Sequence, residues 1–314
     1  MEMQGTPPSF IERFFKVREK GSTLRTELLA GMTTFIAMAY ILFVNPNILA
    51  DAGIPKEAAI ASTIWIAALA SIAMGTFANY PVALAPGMGL NAFFAYYVCG
   101  VLGLHWTVAL GAVFFSGVLF LILTIGGIRQ AIINAVPRDL KLAISVGIGL
   151  FIAFIGLKGT GLIVENAATY VSLGHVTAPT TLLSLFGLLF TAALMARNIH
   201  GAILIGIFAT TILGMALGMT PAPHGIGDII STSLPHMGET FGQLDLAGAW
   251  HYGLVSIIFT FTVVELFDNM GTLIGVTTKA KMVKPDGHIE NIDKALTTDA
   301  VGTMVSAVFG TSTV

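Results

Sequence analysis

The chain has 314 residues, of which 55% are hydrophobic and only 10% are charged, and its formal net charge at pH 7 is −2. A soluble domain carries roughly 25% charged residues, so this composition excludes an ordinary soluble protein and predicts an all-α polytopic protein surrounded by membrane lipid. No basic run offers a nucleic-acid partner a binding face. The histidines are scattered and there is a single cysteine, so no spacing predicts a metal site.

Apolar runs predict nine spans and divide the chain into four parts. Residues 1–26 form an N-terminal segment, residues 27–217 hold spans one to seven, residues 218–251 form a loop, and residues 252–314 hold spans eight and nine and the start of span ten. In span one, Asn45-Pro46-Asn47 is expected to break the helix near the far interface. The helical spans are predicted at 27–49, 58–79, 91–98, 107–125, 140–157, 181–196, 202–217, 252–276 and 295–309.

The distribution of positive charge predicts the orientation. If the spans alternate, all lysines and arginines except Lys56 and Lys158 fall on the side of the N-terminus. The loop 218–251 has no lysine or arginine and lies on the other side. By the positive-inside rule, the N-terminus is cytoplasmic and the loop is extracytoplasmic, in a bacterial inner membrane or a plasma membrane.

Span eight carries two acids at membrane depth. On a helix Glu265, Asp268 and Thr272 fall at i, i+3 and i+7, so they share one face. An acid at that depth costs about 2.5–3.5 kcal/mol on insertion scales, which indicates a use such as proton relay, ion binding or substrate binding. The alternative is a structural pair that hydrogen-bonds a neighbouring span.

Span three is predicted to be broken. Residues 82–90 have no helical period, because Pro86, Gly87 and Gly89 oppose a helix and large residues alternate with small ones as in a strand. A helix is expected from Asn91, which we interpret as its N-cap. Irregular backbone at membrane depth lines a cavity or is buried in protein, and it marks the binding sites of transporters. A re-entrant hairpin or a glycine-rich packing seam are the alternatives.

Two further features bear on a site between spans three and eight. Phe93 and its aromatic neighbours offer rings on which a polar heterocycle could stack, although such rings more often face lipid or core. Asp299 stands at the predicted start of span nine, where an acid usually caps a helix, and proton movement is its alternative role.

Five motifs together resemble the AzgA-like branch of the nucleobase–cation symporter-2 family, the bacterial and fungal purine permeases. The match runs from about Gly21 to Val314. The motifs are Thr33-Thr34-Phe35, Ala39-Tyr40-Ile41 with Asn45-Pro46, Ala85-Pro-Gly-Met-Gly-Leu-Asn-Ala-Phe-Phe94, Phe267-Asp-Asn-Met-Gly-Thr272 and Ala295-Leu-Thr-Thr-Asp299.

The resemblance implies a fold similar to that of the uracil permease. That fold has fourteen spans in two inverted seven-span repeats, with short antiparallel strands in the broken spans three and ten. This sequence stops at Gly310-Thr-Ser-Thr-Val314, where the family pattern enters span ten. The chain is therefore expected to be truncated there, and the resemblance leaves a homodimer open. Because an isolated strand at membrane depth needs a partner, Thr311–Val314 are expected to approach residues 83–91 and lie antiparallel to them, with Asp268 facing the same junction.

The resemblance also implies proton-coupled, secondary-active uptake of purine nucleobases, with guanine and hypoxanthine ahead of adenine and no cofactor besides the coupling proton. It assigns the purine to Asp268 with Asn91 and Thr272, and matches Asp299 to an acid of span nine. The residues themselves add Gly89, Phe93 and Glu265. The substrate-binding candidates are then Asp268, Asn91, Thr272, Gly89 and Phe93, and the proton-coupling candidates are Glu265, Asp268 and Asp299.

Other functions fit the sequence less well. An anion transporter or channel could use the same fold, with half-helix N-termini as the binding site, but Glu265 and Asp268 would repel an anion. A sensor would bind a purine without moving it. An enzyme is not expected, because no nucleophile–base pair, phosphate-binding loop or dinucleotide fingerprint is found in the sequence.

Overall fold

The structure is a computed structural model, and it describes residues 9–125, 137–223, 225, 236–251, 255–279 and 291–314. Within these residues the chain is mostly helical. The first helices are α1 Phe10–Phe14, α2 Leu24–Met38, α3 Ile41–Asp51, α4 Lys56–Ala73, α5 Met88–Ala92 and α6 Trp106–Ile125. Helices α4 and α5 each continue as π-helix, over Met74–Ala78 and Phe93–Val101.

The later elements correspond to spans five to nine, one hairpin and a short helix at the end of the loop predicted at 218–251. They are α7 Arg138–Gly159, β1 Ile163–Asn166, β2 Tyr170–Leu173, α8 Pro179–Ala196, α9 Ala202–Ala216, α10 Leu246–His251, α11 Val255–Lys279 and α12 Ile292–Phe309. Each predicted span overlaps one or two of these helices. The first residues predicted for span eight, 252–254, lie outside the described residues.

Several of these helices can cross a membrane. Within the described residues, four stretches are long and apolar enough by length and composition, and they are Leu24–Asp51, Lys56–Ala78, Trp106–Ile125 and Pro179–Ala196. Shorter apolar helices run over Met88–Val101, Gly149–Gly159 and Ala202–Ala216. These helices are those of a multi-pass membrane protein. The inverted repeats, the four-part division and the cytoplasmic N-terminus stay predictions, and the positively charged loop residues Arg129, Lys281 and Lys284 lie outside the described residues.

In span one the helix breaks at a different point from the predicted one. Asn45-Pro46-Asn47 lies inside α3, which runs on to Asp51, and the break is at Ala39–Tyr40. A proline ring clashes with the turn that precedes it, so the distortion falls on its N-terminal side. Around the break, the N–H groups of Leu42 and Phe43 bond to carbonyls only three residues back.

An antiparallel hairpin lies between α7 and α8, and the sequence analysis missed it. Strands β1 and β2 pair Val164 with Ser172, and Lys158 forms a 3.1 Å ion pair with Glu165. The turn is closed by the Asn166 side chain, whose Oδ1 accepts the N–H groups two and three residues on. Both strands are largely exposed, so they carry no apolar alternation that would have predicted them.

Helices α6 and α12 pack closely in the core. A Cβ atom on Gly117 of α6 would lie 2.8 Å from Cγ of Met304 and 3.1 Å from its backbone nitrogen on α12. The missing side chain therefore sets the distance between the two helices. This contact matters for the site, because Ser116 on α6 and Thr303 on α12 stand beside it.

We expect Gly117→Ala to destabilise the protein. The added methyl group overlaps backbone as well as side-chain atoms, and overpacking of this kind costs about 1–3 kcal/mol. The matched control is Gly147→Ala on α7, where a Cβ would meet nothing within 4 Å. Thermal unfolding in detergent should show a lower midpoint for Gly117→Ala and an unchanged or higher one for the control. Equal midpoints would contradict the close packing.

Candidate functional site

The backbone of span three changes conformation at Gly87. Residues 82–87 have no regular secondary structure, and α5 begins at Met88 with Gly87 in extended conformation as its N-cap. The expected interruption is therefore present. The interpretation of Asn91 as the N-cap is wrong, since its N–H already bonds to the Gly87 carbonyl at 2.9 Å inside the helix. Glycine itself is an adequate N-cap, so the helix starts as soon as Pro86 is passed.

The last four residues reach the same place. After α12 the chain turns at Gly310, which has a φ of +86°, and residues 311–314 are all buried. The N–H of Gly87 donates to the carbonyl of Thr313 at 3.0 Å. The sequence predicted this approach, because irregular backbone at membrane depth needs partners for its polar groups.

The two segments do not form the predicted pair of strands. The bond from Gly87 is the one backbone hydrogen bond between them in the described part of the chain. Side chains bond to some of the other backbone groups. The hydroxyl of Ser71 bonds to both the N–H and the carbonyl of Leu84, at 3.0 Å each, and the N–H of Val314 donates to Thr303 Oγ1 at 3.4 Å. These backbone groups of Leu84 and Val314 are therefore satisfied without a ladder.

Asp268 faces this junction from α11. A Cβ atom on Gly87 would lie 4.0 Å from Asp268 Oδ2 and 3.9 Å from Thr313 Oγ1, so the glycine leaves space between the carboxylate and the hydroxyl. Asp268 is partly buried, and no donor among the described residues hydrogen-bonds to its side chain. The carboxylate can therefore accept hydrogen bonds from a ligand.

Three buried polar side-chain atoms on the two segments that meet at Gly87 also have no hydrogen-bond partner among the described residues. They are Asn91 Oδ1, Ser312 Oγ and Thr313 Oγ1. Leaving a buried polar group without a partner costs about 1–3 kcal/mol, so three such atoms on two contacting segments indicate a ligand-binding site. The sequence analysis placed residues 311–314 here but did not assign Ser312 and Thr313 to the site. The run of hydroxyl residues directly after Gly310 was the available signal.

The other predicted binding residues, Gly89, Phe93 and Thr272, differ in how deeply they are buried and in what they contact. Gly89 is half-buried in α5 beside Asn91. The Phe93 ring stacks on Tyr97 at 5.2 Å and meets Phe261 of α11 edge-on at 5.1 Å, which joins the span-three helix to the helix of Asp268. Thr272 is exposed one turn beyond Asp268, and no hydrogen bond of its side chain is formed within the described residues.

Glu265 is separated from Asp268 by its surroundings. It is 1% exposed and lies against α6 and α12, where Ser116 Oγ donates to its Oε2 at 3.3 Å and Thr303 Oγ1 donates to its Oε1. Thr303 also accepts the N–H of Val314. The helix face that Glu265 and Asp268 were predicted to share therefore carries two carboxyl groups in different surroundings. That of Glu265 is hydrogen-bonded inside the core, and that of Asp268 faces the junction. Thr303 connects the first to the terminal segment.

Asp299 does not cap a helix. Helix α12 begins at Ile292, so Asp299 lies two turns inside it and is 2% exposed. Its Oδ2 accepts a hydrogen bond from Asn269 Nδ2, and Asn269 directly follows Asp268 on α11. The interpretation of Asp299 as a helix cap is wrong because α12 starts at Ile292, before the apolar run from which span nine was predicted. Asp299 is instead a buried acid that contacts the neighbour of the candidate binding residue.

Comparison with known proteins identifies the family. The Permease family model, that of xanthine and uracil permeases, matches residues 25–314. The chain belongs to this permease family. A Methanocaldococcus jannaschii protein named only as a permease is 50% identical over 97% of this chain and 69% of its own length. The adenine permease AdeP of Escherichia coli is 46% identical over 99% of this chain and 69% of its own length. The guanine/hypoxanthine permease PbuO of Bacillus subtilis is 40% identical over 95% of this chain and 69% of its own length.

The family also confirms the branch that the motifs indicated. A nucleobase transporter of Paenibacillus larvae, PlAzg2, is 35% identical over 93% of this chain and 57% of its own length. These relatives are named as permeases or transporters, so the expectation of a transport protein rather than an enzyme is confirmed. The names of the relatives include both adenine and guanine/hypoxanthine, and the family alone therefore does not choose between purines.

Proposed function

We propose that this permease carries purine nucleobases by proton-coupled, secondary-active uptake and binds them at the junction of α5, α11 and residues 311–314. The observation that supports this proposal is the open carboxylate of Asp268, which faces Gly87 and Thr313, together with three buried polar atoms on α5 and residues 311–314 that lack partners among the described residues. A site of this kind needs a ligand with several hydrogen-bonding groups on a small frame.

A purine base has the required groups. Its ring N–H groups can donate to Asp268 in a charge-assisted hydrogen bond, which is stronger than a neutral one. The hydroxyls of Ser312 and Thr313 can donate or accept, so they suit a ring nitrogen or a carbonyl oxygen. Phe93 supplies an aromatic wall next to α5. A small anion fits poorly, because Asp268 would repel it.

The identity of the purine is the finer part of the proposal. The Gly-Leu-Asn-Ala-Phe-Phe sequence at 89–94 resembles guanine/hypoxanthine permeases, so we place these bases first and adenine next. Overall identity favours adenine instead, because relatives named for adenine have 46% and 44% identity and those named for guanine/hypoxanthine have 40%, 40% and 35%, so adenine is the second candidate.

Uptake of labelled guanine, hypoxanthine and adenine tests the proposal. The full-length gene is expressed in cells without purine uptake of their own, with empty vector as control and unlabelled purines and uracil as competitors. We expect saturable uptake that purines inhibit and uracil does not. Purine binding without counterflow of labelled base in vesicles would support a sensor, and transport of an anion in place of a purine would contradict the proposal.

Proton coupling is tested in the same cells. Three acids at membrane depth, Glu265, Asp268 and Asp299, are groups of the kind that carry protons in transporters. Uptake should therefore fall as external pH rises and collapse when a protonophore abolishes the gradient. Uptake that persists without a proton gradient but requires sodium would show that sodium, and not the proton, is the coupling ion.

A further inference from the structure

A buried chain of hydrogen bonds fixes the direction of the Asn45 side chain. Thr63 Oγ1 donates to the Ala59 carbonyl at 2.6 Å, so its one hydroxyl hydrogen is used within α4. The hydroxyl can then only accept from Asn45, which places the amide nitrogen Nδ2 on that side, at 2.8 Å. The second hydrogen of Nδ2 bonds to Thr311 Oγ1 at 3.3 Å.

The fixed direction of Asn45 determines that of Asn91. With both N–H groups used, Asn45 presents its oxygen Oδ1 to α5, and Asn91 Nδ2 donates to it. The Asn91 amide cannot turn around without setting two oxygens against each other. Its own Oδ1 therefore stays on the other side, where it is fully buried and lacks a partner among the described residues.

We infer that Asn45 is a positioning residue that makes Asn91 present a hydrogen-bond acceptor to the ligand. The ligand atom at this point must then carry a hydrogen, as a ring N–H or an amino group of a purine does. This inference rests on the proposed function, because it takes Asn91 as part of the purine site. It adds Asn45, a residue of span one, to the residues that shape the purine site. It also predicts that the Asn91 side chain accepts the hydrogen bond from the ligand.

A purely structural role for Asn45 is the alternative. Asn45 is 0% exposed and joins α3, α4, α5 and residues 311–314, so its loss could weaken the fold without affecting the polarity of Asn91. The two roles differ in one respect. A positioning residue acts on binding only through Asn91, so its substitution has no further effect on purine affinity once Asn91 has lost its amide.

A double-mutant cycle on the full-length protein separates them, with the inhibition constant of unlabelled guanine as the readout. We expect Asn91→Ala and Asn45→Ala each to weaken inhibition by about three- to tenfold, the range of a neutral hydrogen bond. The double variant should be no weaker than Asn91→Ala alone. Asn47→Ala is the matched control, since Asn47 is exposed two residues further along α3 and, among the described residues, its side chain bonds only to the Phe43 carbonyl.

The outcomes distinguish the inference from the proposal on which it rests. An unchanged constant for Asn91→Ala would remove Asn91 from the site and overturn both. A weaker Asn91→Ala together with an unchanged Asn45→Ala, or with additive effects, would overturn the positioning role alone. If Asn45→Ala fails to fold, Thr63→Val decides in its place, because it removes the acceptor that orients Asn45 at nearly constant volume. Its loss of affinity should be restored by Thr63→Ser and be absent in the Asn91→Ala background.

Discussion

Asp268→Asn is expected to weaken purine affinity by about ten- to hundredfold. The substitution keeps the shape of the side chain and removes the charged acceptor, and a hydrogen bond to a charged group contributes about 1.5–3 kcal/mol. Asp268 has no donor among the described residues, so the change breaks no internal contact there and the fold should persist. The measurement is the inhibition constant for unlabelled guanine, with the amount of protein in the membrane determined in parallel.

Asp293→Asn is the matched control for this prediction. Asp293 is an exposed acid in the first turn of α12, so its substitution removes the same charge away from the junction. Its purine affinity should equal that of the unaltered protein. An Asp268→Asn protein with unaltered affinity and normal membrane insertion would show that the base is bound elsewhere.

Glu265→Gln is expected to abolish proton-driven accumulation while leaving binding nearly intact. Glu265 is held by Ser116 and Thr303 inside the core, so it lies beside the site rather than in it. Through Thr303 it is connected to Val314, next to the terminal hydroxyl residues. Glutamine keeps one acceptor oxygen, so it can retain one of these two contacts, and it cannot exchange a proton. If Glu265 were only a structural residue that held the helices together through these contacts, its substitution would not affect coupling.

The measurement compares accumulation against a gradient with counterflow of labelled base in vesicles. Glu265→Gln should retain counterflow and lose accumulation, whereas Glu57→Gln, an exposed acid in the first turn of α4, should retain both. A large loss of affinity in Glu265→Gln with accumulation preserved would exchange the roles assigned to Glu265 and Asp268.

The sequence predicted the elements whose cause is local. Long apolar runs gave the helices, and Pro86 with its neighbouring glycines gave the interruption of span three. The position of Asp268 opposite Gly87 followed from two rare features that had to meet, an acid at membrane depth and non-helical backbone at the same depth.

What the sequence could not predict depends on contacts between distant residues. Pro46 lies inside α3, and the break falls on its N-terminal side, at Ala39–Tyr40. The strand pair was replaced by side-chain bonds from Ser71 and Thr303, which no local pattern reveals. Asn45 lies 46 positions before Asn91 in the sequence, so their hydrogen bond becomes visible only when α3 and α5 are packed together.

Substrate protection of a cysteine at position 313 tests the binding site most directly. In the full-length protein, Cys99 is replaced by alanine and Thr313→Cys is introduced, with Ser256→Cys at the exposed start of α11 as control. Position 313 is buried in this conformation, so a small maleimide reaches it only when the junction opens during transport, and the rate of this modification is measured as purine is added. A purine at the junction should slow modification of position 313, with half-protection at the concentration that half-saturates uptake, and leave position 256 unaffected. A modification rate at position 313 that saturating purine does not change, in a variant that still transports, would contradict the proposed site.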